Sequence, residues 1–142
     1  MASRLTVIAQ FLLIGVLLWP TTRPEWSPIV AILIVLAIAI TIWTLRHNRL
    51  GNFNIRPEPK ASGRLIMSGP YAYVRHPMYV ALLIFAAAIC FFYAGIFKLA
   101  ASLVLALVLW IKTTLEERAL CTRFPEYSNY ARRVRRFIPG VL

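Results

Sequence analysis

The stretch MYVALLIFAAAICFFYAGIFKLAASLVLALVLWI, residues 78–111, carries a single charge, Lys98, in 34 positions. As one helix it would be about 51 Å long at 1.5 Å per residue, far more than the roughly 30 Å hydrocarbon core of a bilayer. It must therefore fold back on itself. The bend is expected between Phe92 and Lys98, where Gly95 relaxes the backbone and Lys98 can snorkel toward the far interface. Each arm of such a hairpin is short for a span, so local bilayer thinning or aromatic anchoring is expected.

Two further apolar blocks precede it. Leu5–Trp19 follows Arg4, and no small-x-small cleavage pattern follows it, so a retained helix is expected rather than a signal peptide. Pro28–Leu45 contains no charge and is long enough to span. Ser27 reads as its cap and Pro28 as its first-turn residue. The chain of 142 residues is 60% hydrophobic and 15% charged, with a mean hydropathy of +0.70. Ordinary globular domains carry roughly 25% charged residues. The expectation is an all-α integral membrane protein forming a single domain over 1–142. Its four transmembrane helices would cover about 5–19, 28–45, 78–92 and 96–111, the last two as a short hairpin. A loop over 46–77 and a tail over 112–142 with a C-terminal helix would be cytoplasmic.

Orientation follows from the basic residues. Of the 16 Lys and Arg, all but Arg23 and Lys98 fall at the N-terminus, in the 46–77 loop or in the tail. The positive-inside rule puts those three regions in the cytoplasm. A net charge of +11 could suggest nucleic acid, but the basic residues flank apolar blocks beside Trp and Tyr, as membrane-anchoring residues do. No nucleic-acid partner is expected. Trp19, Trp26, Trp43 and Trp110 read as interface anchors. Cys90 and Cys121 form no disulfide pattern, and no metal-ligand spacing involves His47 or His76, so no metal is expected.

Two cytoplasmic segments could carry chemistry. The first is Gly69-Pro70-Tyr71-Ala72-Tyr73-Val74-Arg75-His76-Pro77-Met78-Tyr79. Pro77 can begin a helix without losing a backbone bond, which puts Arg75, His76 and Tyr79 around a helix N-terminus. That position favours anionic groups. An interfacial anchor explains the same residues equally well. The second segment, Thr114-Leu115-Glu116-Glu117-Arg118, lies just beyond the last apolar run. It is either a solvated helix turn, with Glu116 paired to Arg118 or Arg123, or half of a site that the hairpin brings to Arg75 and His76. Such a site would suit a zwitterionic or cationic molecule. Arg132, Arg133, Arg135 and Arg136 read as contacts to anionic headgroups.

The segments 54–79 and 115–139 resemble the membrane methyltransferases related to isoprenylcysteine carboxyl methyltransferase and phosphatidylethanolamine N-methyltransferase. The matching residues are Leu65-Ile66-Met67-Ser68-Gly69-Pro70-Tyr71, Arg75-His76-Pro77-Met78-Tyr79, Glu116-Glu117, Phe124-Pro125-Glu126-Tyr127 with Tyr130, and Arg136-Phe137-Ile138-Pro139. The resemblance implies S-adenosylmethionine (SAM) as cofactor, held by Tyr71, Arg75, His76, Pro77, Tyr79, Glu116 and Glu117. Glu116 and Arg123 become the candidates for positioning or proton handling. Two positions depart from the family pattern: Ala81 where Gly is frequent, and Phe124-Pro125 where Phe-Gly is more usual.

The implied reaction is SAM-dependent methyl transfer to a lipophilic or membrane-associated acceptor at the cytoplasmic face. An isoprenylcysteine-like carboxylate, a phospholipid amine or a small thiol would all serve. The partners would be that lipophilic substrate and membrane lipids, and the location a bacterial inner (cell) membrane with both termini cytoplasmic. No Gly-x-Gly-x-x-Gly loop is present, which argues against a soluble dinucleotide-type methyltransferase fold. The rival readings are an NADPH-dependent membrane reductase of the sterol-reductase type and a non-enzymatic small membrane scaffold.

Overall fold

The computed structural model describes residues 2–48 and 64–141, with side chains from residue 4. The middle of the 46–77 loop, including positions 54–63 of the resemblance, lies outside the described residues. Among those described, every regular element is helical. They are α1 (Ala2–Leu18), α2 (Pro28–His47), a 3₁₀ turn (Gly69–Ala72), α3 (Pro77–Phe92), α4 (Ile96–Arg123) and α5 (Tyr127–Arg133). By length and composition α2 and α4 could each cross a membrane, while α1 and α3 are apolar but shorter.

Local chemistry explains the helix ends. Ser27 is extended and its hydroxyl accepts from the Val30 N–H at 3.4 Å, while Pro28 opens the first turn of α2. The hairpin bends at Tyr93–Gly95, inside the expected interval. Gly95 is extended with φ of 179°, a conformation any residue adopts, so the bend does not depend on a glycine. Gly69, by contrast, requires glycine. Its φ is +62°, and a Cβ there would come within 2.2 Å of the His47 ring, so the 3₁₀ turn packs directly on the end of α2.

The α3–α4 hairpin lies at the centre, with α2 packed on α3 and α1 on α4. Val30, Ala37 and Thr44 recur at seven-residue intervals as the buried seam of α2. Ala81 and Ala88, seven residues apart on one face of α3, are both buried. Small residues on both sides let two backbones approach closely, which is how helices associate when lipid is as apolar as the interface. Ala81, 4% exposed, fits this seam. The outward side chains are large and apolar: Ile32, Val35, Phe97 and Leu103 are each more than 60% exposed. A soluble core helix would bury such residues; these suit lipid.

The buried residues of α4 include Lys98, Ala101, Leu105, Leu109 and Lys112. Their spacing of 3, 4, 4 and 3 forms one stripe, and both terminal lysines reach α1. Lys98 does not snorkel. It is 1% exposed, and its ammonium donates to the carbonyls of Val16, Leu17 and Trp19 at the end of α1. Four turns along, Lys112 donates to Gln10 Oε1 at 2.7 Å. At the Lys98 end, the Glu25 N–H donates to Phe92 O and the Thr22 hydroxyl to Tyr93 O, so the α1–α2 connection is tied to the hairpin bend. All described elements of the candidate site lie at the opposite end.

The last arm is also longer than expected. α4 does not stop near Ile111 but runs on for about three turns to Arg123. The run Lys112-Thr113-Thr114-Leu115-Glu116-Glu117 contains good helix formers and no Gly or Pro, so nothing in it ends the helix. Glu116 and Glu117 thus stand on a rigid extension of the apolar helix.

Candidate functional site

Backbone pairing builds the frame. Val74 and Arg135 form an isolated parallel bridge; the Arg75 N–H donates to Arg135 O at 2.8 Å and the His76 N–H to Arg136 O at 3.2 Å. The Tyr130 hydroxyl donates to Tyr71 O at 2.6 Å, and Asn48 Nδ2 donates to the Tyr71 hydroxyl at 2.9 Å. The tail after α5 is therefore laid along the segment entering α3, and the end of α2 is tied to the same loop.

Two carboxylates form the centre. Glu117 Oε1 accepts from Arg75 Nε at 2.8 Å and from His76 Nε2 at 3.1 Å, while its Oε2 accepts from Arg136 Nη2 at 2.8 Å and Nε at 3.0 Å. Arg75 Nη1 also donates to the carbonyls of Ala131 and Val134 at 2.7 and 2.6 Å. Glu116 Oε1 accepts from the Tyr79 hydroxyl at 2.8 Å, and its Oε2 lies 3.4 Å from His76 Nδ1. Both nitrogens of His76 thus face carboxylates, an arrangement that calls for two N–H donors and so for the imidazolium form. The His76 ring stacks on Tyr79 with centroids 5.5 Å apart, and the Arg136 guanidinium lies 4.8 Å from the Trp110 ring centroid.

The electrostatics agree. Burial alone would lower the His76 pKa, but its bonds to Glu116 and Glu117 outweigh burial and raise it above 6.5. Burial would raise Glu117, yet the donors from His76, Arg136 and Arg75 bring it from 4.5 down to about 2. The two shifts act on opposite limbs of a stability profile. Glu117 stabilises the fold above 4.5, a contribution lost as pH falls toward 2. His76 stabilises below 6.5, a contribution lost as pH rises through its elevated folded-state value. The melting temperature of the purified protein in detergent should therefore be highest between these limits and fall on both sides. His76→Asn should flatten the alkaline limb. An unchanged alkaline limb in that variant would remove His76 from this account.

The structure thus brings Arg75, His76, Tyr79, Glu116 and Glu117 together, with Pro77 buried at the first turn of α3 and Tyr71 beside them. Burial, together with the nearby Glu116 charge and against the bond from Asn48, pushes the Tyr71 hydroxyl up to about 12. Three placements add to the expected picture. Arg75 is already received by Glu117 and by two tail carbonyls. Arg136 is not spread on the surface with its neighbours; it folds back onto Glu117 and Trp110, which makes Trp110 a wall of the cluster. Arg123 is exposed against the Phe124 ring, about 9 Å beyond Glu117 along α4.

Sequence reasoning did not single out Tyr127 as a candidate. It is 2% exposed, and its hydroxyl is a buried polar atom with no hydrogen-bond partner among the described residues. Burial and the charge of Glu117 raise its pKa, while Arg75 opposes them, so it sits in the field of the cluster as a neutral donor. A buried polar atom in that state asks for an explanation. Tyr127 and Arg136 both lie in stretches matched by the family resemblance, and that was the signal available. Arg136 was obscured because it is one of four arginines in five positions.

Comparison with known proteins places this geometry in context. The family model for phospholipid methyltransferases matches residues 26–126, which include α2, α3, α4 and both carboxylates. A curated relative, the cobalt-zinc-cadmium resistance protein CzcN of Cupriavidus metallidurans, is 37% identical over 84 residues. That alignment covers 56% of this chain and 38% of the relative, so the chain spans well under two thirds of the length of the protein it matches. No solved structure matches.

Proposed function

The chain belongs to the phospholipid methyltransferase family, and from that premise we propose that it transfers a methyl group from SAM to a lipophilic acceptor at the cytoplasmic face of a membrane. The observation that carries the reading is the mixed-charge layer at one end of the apolar bundle, with a buried hydroxyl beside it that has no partner among the described residues. SAM combines a carboxylate, an ammonium, a sulfonium and an aromatic base. The layer offers guanidinium, carboxylate, phenol and indole groups within a few side chains of one another. Bound SAM would supply an already activated sulfonium methyl.

The residues of this chain then hold and orient. Arg136 and Glu116, with side chains 21% and 17% exposed, are more open than Arg75 and Glu117, at 9% and 11%. We assign the carboxylate and cationic contacts of the cofactor to Arg136 and Glu116, and the Tyr127 hydroxyl to a polar cofactor atom. Arg75, His76 and Glu117 are positioning residues that fix the tail against α3 and α4. Alignment of donor and acceptor and exclusion of water are the main contributions required of such a site.

Titration calorimetry of the detergent-solubilised full chain tests this reading. SAM should bind, and S-adenosylhomocysteine should be released when a lipophilic acceptor is added. Binding of NADPH in the absence of SAM binding would put the reductase reading in its place. Membrane placement belongs to the same proposal: four spans with both termini cytoplasmic, supported by the distribution of basic residues. Reporter fusions at Leu142 and within Thr21–Ser27 should then label opposite sides. Labelling on one side would overturn that topology.

A further inference from the structure

The chain after α4 returns to the bundle as a strap, and its two sides differ. The inner side faces the carboxylate cluster. Tyr127 and Tyr130 are buried there, the carbonyls of Ala131 and Val134 receive Arg75, and those of Arg135 and Arg136 receive the N–H groups of Arg75 and His76. The outer side carries Arg132, Arg133 and Arg135, all exposed and, among the described residues, without an ion pair. The site described so far uses none of these three side chains. The sequence groups Arg136 with them as headgroup contacts, but the structure splits the set on one continuous segment. Three guanidinium groups point away from the cluster and one points into it.

The backbone bridge sets the depth of the outer side. Val74 and Arg135 pair in the parallel sense, so the strap runs in the direction in which the chain enters α3. Arg135 therefore stands level with the segment just before the apolar helix opens at Pro77, and the residues after it continue toward the bundle. Phe137 reaches the Trp110 ring, with centroids 6.1 Å apart, while Ile138 and Val141 are 52% and 70% exposed. Three arginines followed by outward apolar side chains, at the edge of a lipid-facing bundle, fit anionic headgroups over hydrocarbon. A nucleic acid would use the arginines and leave Ile138 and Val141 uncovered.

Closing the strap has an electrostatic cost. It gathers Arg75, His76 and Arg136 on Glu116 and Glu117, three cations on two carboxylates, with the three outer arginines close by in the chain. SAM sets one carboxylate against an ammonium and a sulfonium, so its binding adds a net positive charge to the same end. Self-repulsion of this kind works against the compact state unless counter-charge is supplied. We infer that anionic phospholipid headgroups, received by Arg132, Arg133 and Arg135, hold the strap closed and thereby raise the affinity of the site for SAM. This rests on the methyltransferase reading above and adds to it the surface that regulates the site. The coupling runs through Tyr127 and Arg136, which are assigned to the cofactor and belong to the strap itself.

The test compares the full chain in nanodiscs of phosphatidylcholine with the full chain in nanodiscs of phosphatidylcholine and phosphatidylglycerol in equal parts. SAM should bind about tenfold tighter in the anionic discs, and amide exchange over 127–136 should be slower there. An anionic surface also concentrates a cationic ligand whatever the strap does, so variants decide. Arg132→Gln, Arg133→Gln and Arg135→Gln together should bring the two SAM affinities within about threefold of each other and remove the difference in exchange. The three side chains are exposed, so the fold should persist. Arg132→Lys, Arg133→Lys and Arg135→Lys together keep the charge and should keep the preference. Equal SAM affinity of the parent in the two discs overturns this inference alone, as does a full preference retained by the glutamine variant. An equal gain from a short RNA added to neutral discs would give the arginines to nucleic acid and overturn it as well. If neither disc supports SAM binding while phosphatidylglycerol still slows exchange through the arginines, the methyltransferase reading falls and the lipid-held strap stands.

Discussion

Glu117→Gln should lower the stability of the protein by about 3–5 kcal/mol, the range measured when one partner of a buried ion pair is removed, and weaken SAM binding by tenfold or more. Glu117 is the shared acceptor for Arg75, His76 and Arg136. The substitution keeps the shape but removes the charge, leaving three cationic groups around a neutral amide that itself brings N–H donors. The His76 pKa loses one of its two raising carboxylates, so the alkaline limb of the stability profile should move to lower pH. Because Arg75 also holds Ala131 and Val134, the segment after Tyr127 should loosen and exchange its amide protons faster. Glu116→Gln is the contrast. It should weaken SAM binding while leaving the tail protected, because its partners are Tyr79 and His76 and not the tail. A Glu117→Gln protein with the parent's melting temperature, SAM affinity and tail protection would show that the cluster does not organise the site.

Lys98→Met should cost about 3 kcal/mol, judged from the 1.5–3 kcal/mol typical of a hydrogen bond to a charged group. The methionine fills most of the same volume, so packing is little changed. What disappears is the donor to three carbonyls at the end of α1, where a helix has no intrahelical partner to offer them. In the folded protein the side chain is 1% exposed, so the ammonium is the donor these carbonyls have in place of water. Two losses should be seen together: a lower melting temperature, and easier proteolysis in the 19–27 connection as α1 detaches. SAM affinity should fall far less than in Glu117→Gln, because Lys98 lies at the other end of α4. A melting temperature equal to the parent's would mean that the stripe of Ala101, Leu105 and Leu109 and the Lys112–Gln10 bond suffice to hold α1.

Much of this was readable from the chain itself. The length of the uninterrupted apolar run required a bend, and Pro77 with the Arg-His-Pro-x-Tyr order located the start of α3. The absence of a helix breaker before Glu117 would have allowed the full length of α4 to be foreseen, although the apolar run alone suggested a stop near Ile111. These are local properties, governed by hydropathy, propensity and the geometry of one helix. The basic residues were a different matter. Composition sorts Lys98, Lys112 and Arg136 with every other lysine and arginine near a membrane surface. Each is instead turned inward by a partner distant in sequence: Leu17, 81 positions from Lys98; Gln10, 102 positions from Lys112; and, for Arg136, the Glu117 carboxylate on a separate helix. A charge is buried only where its partners converge, and that convergence exists once the helices have packed. The sequence by itself determined the apolar helices, their bend and the residue types available for chemistry. The tertiary structure decided which cations meet which carboxylates, because the desolvation that makes those pairs matter is a property of the packed bundle and of no single segment.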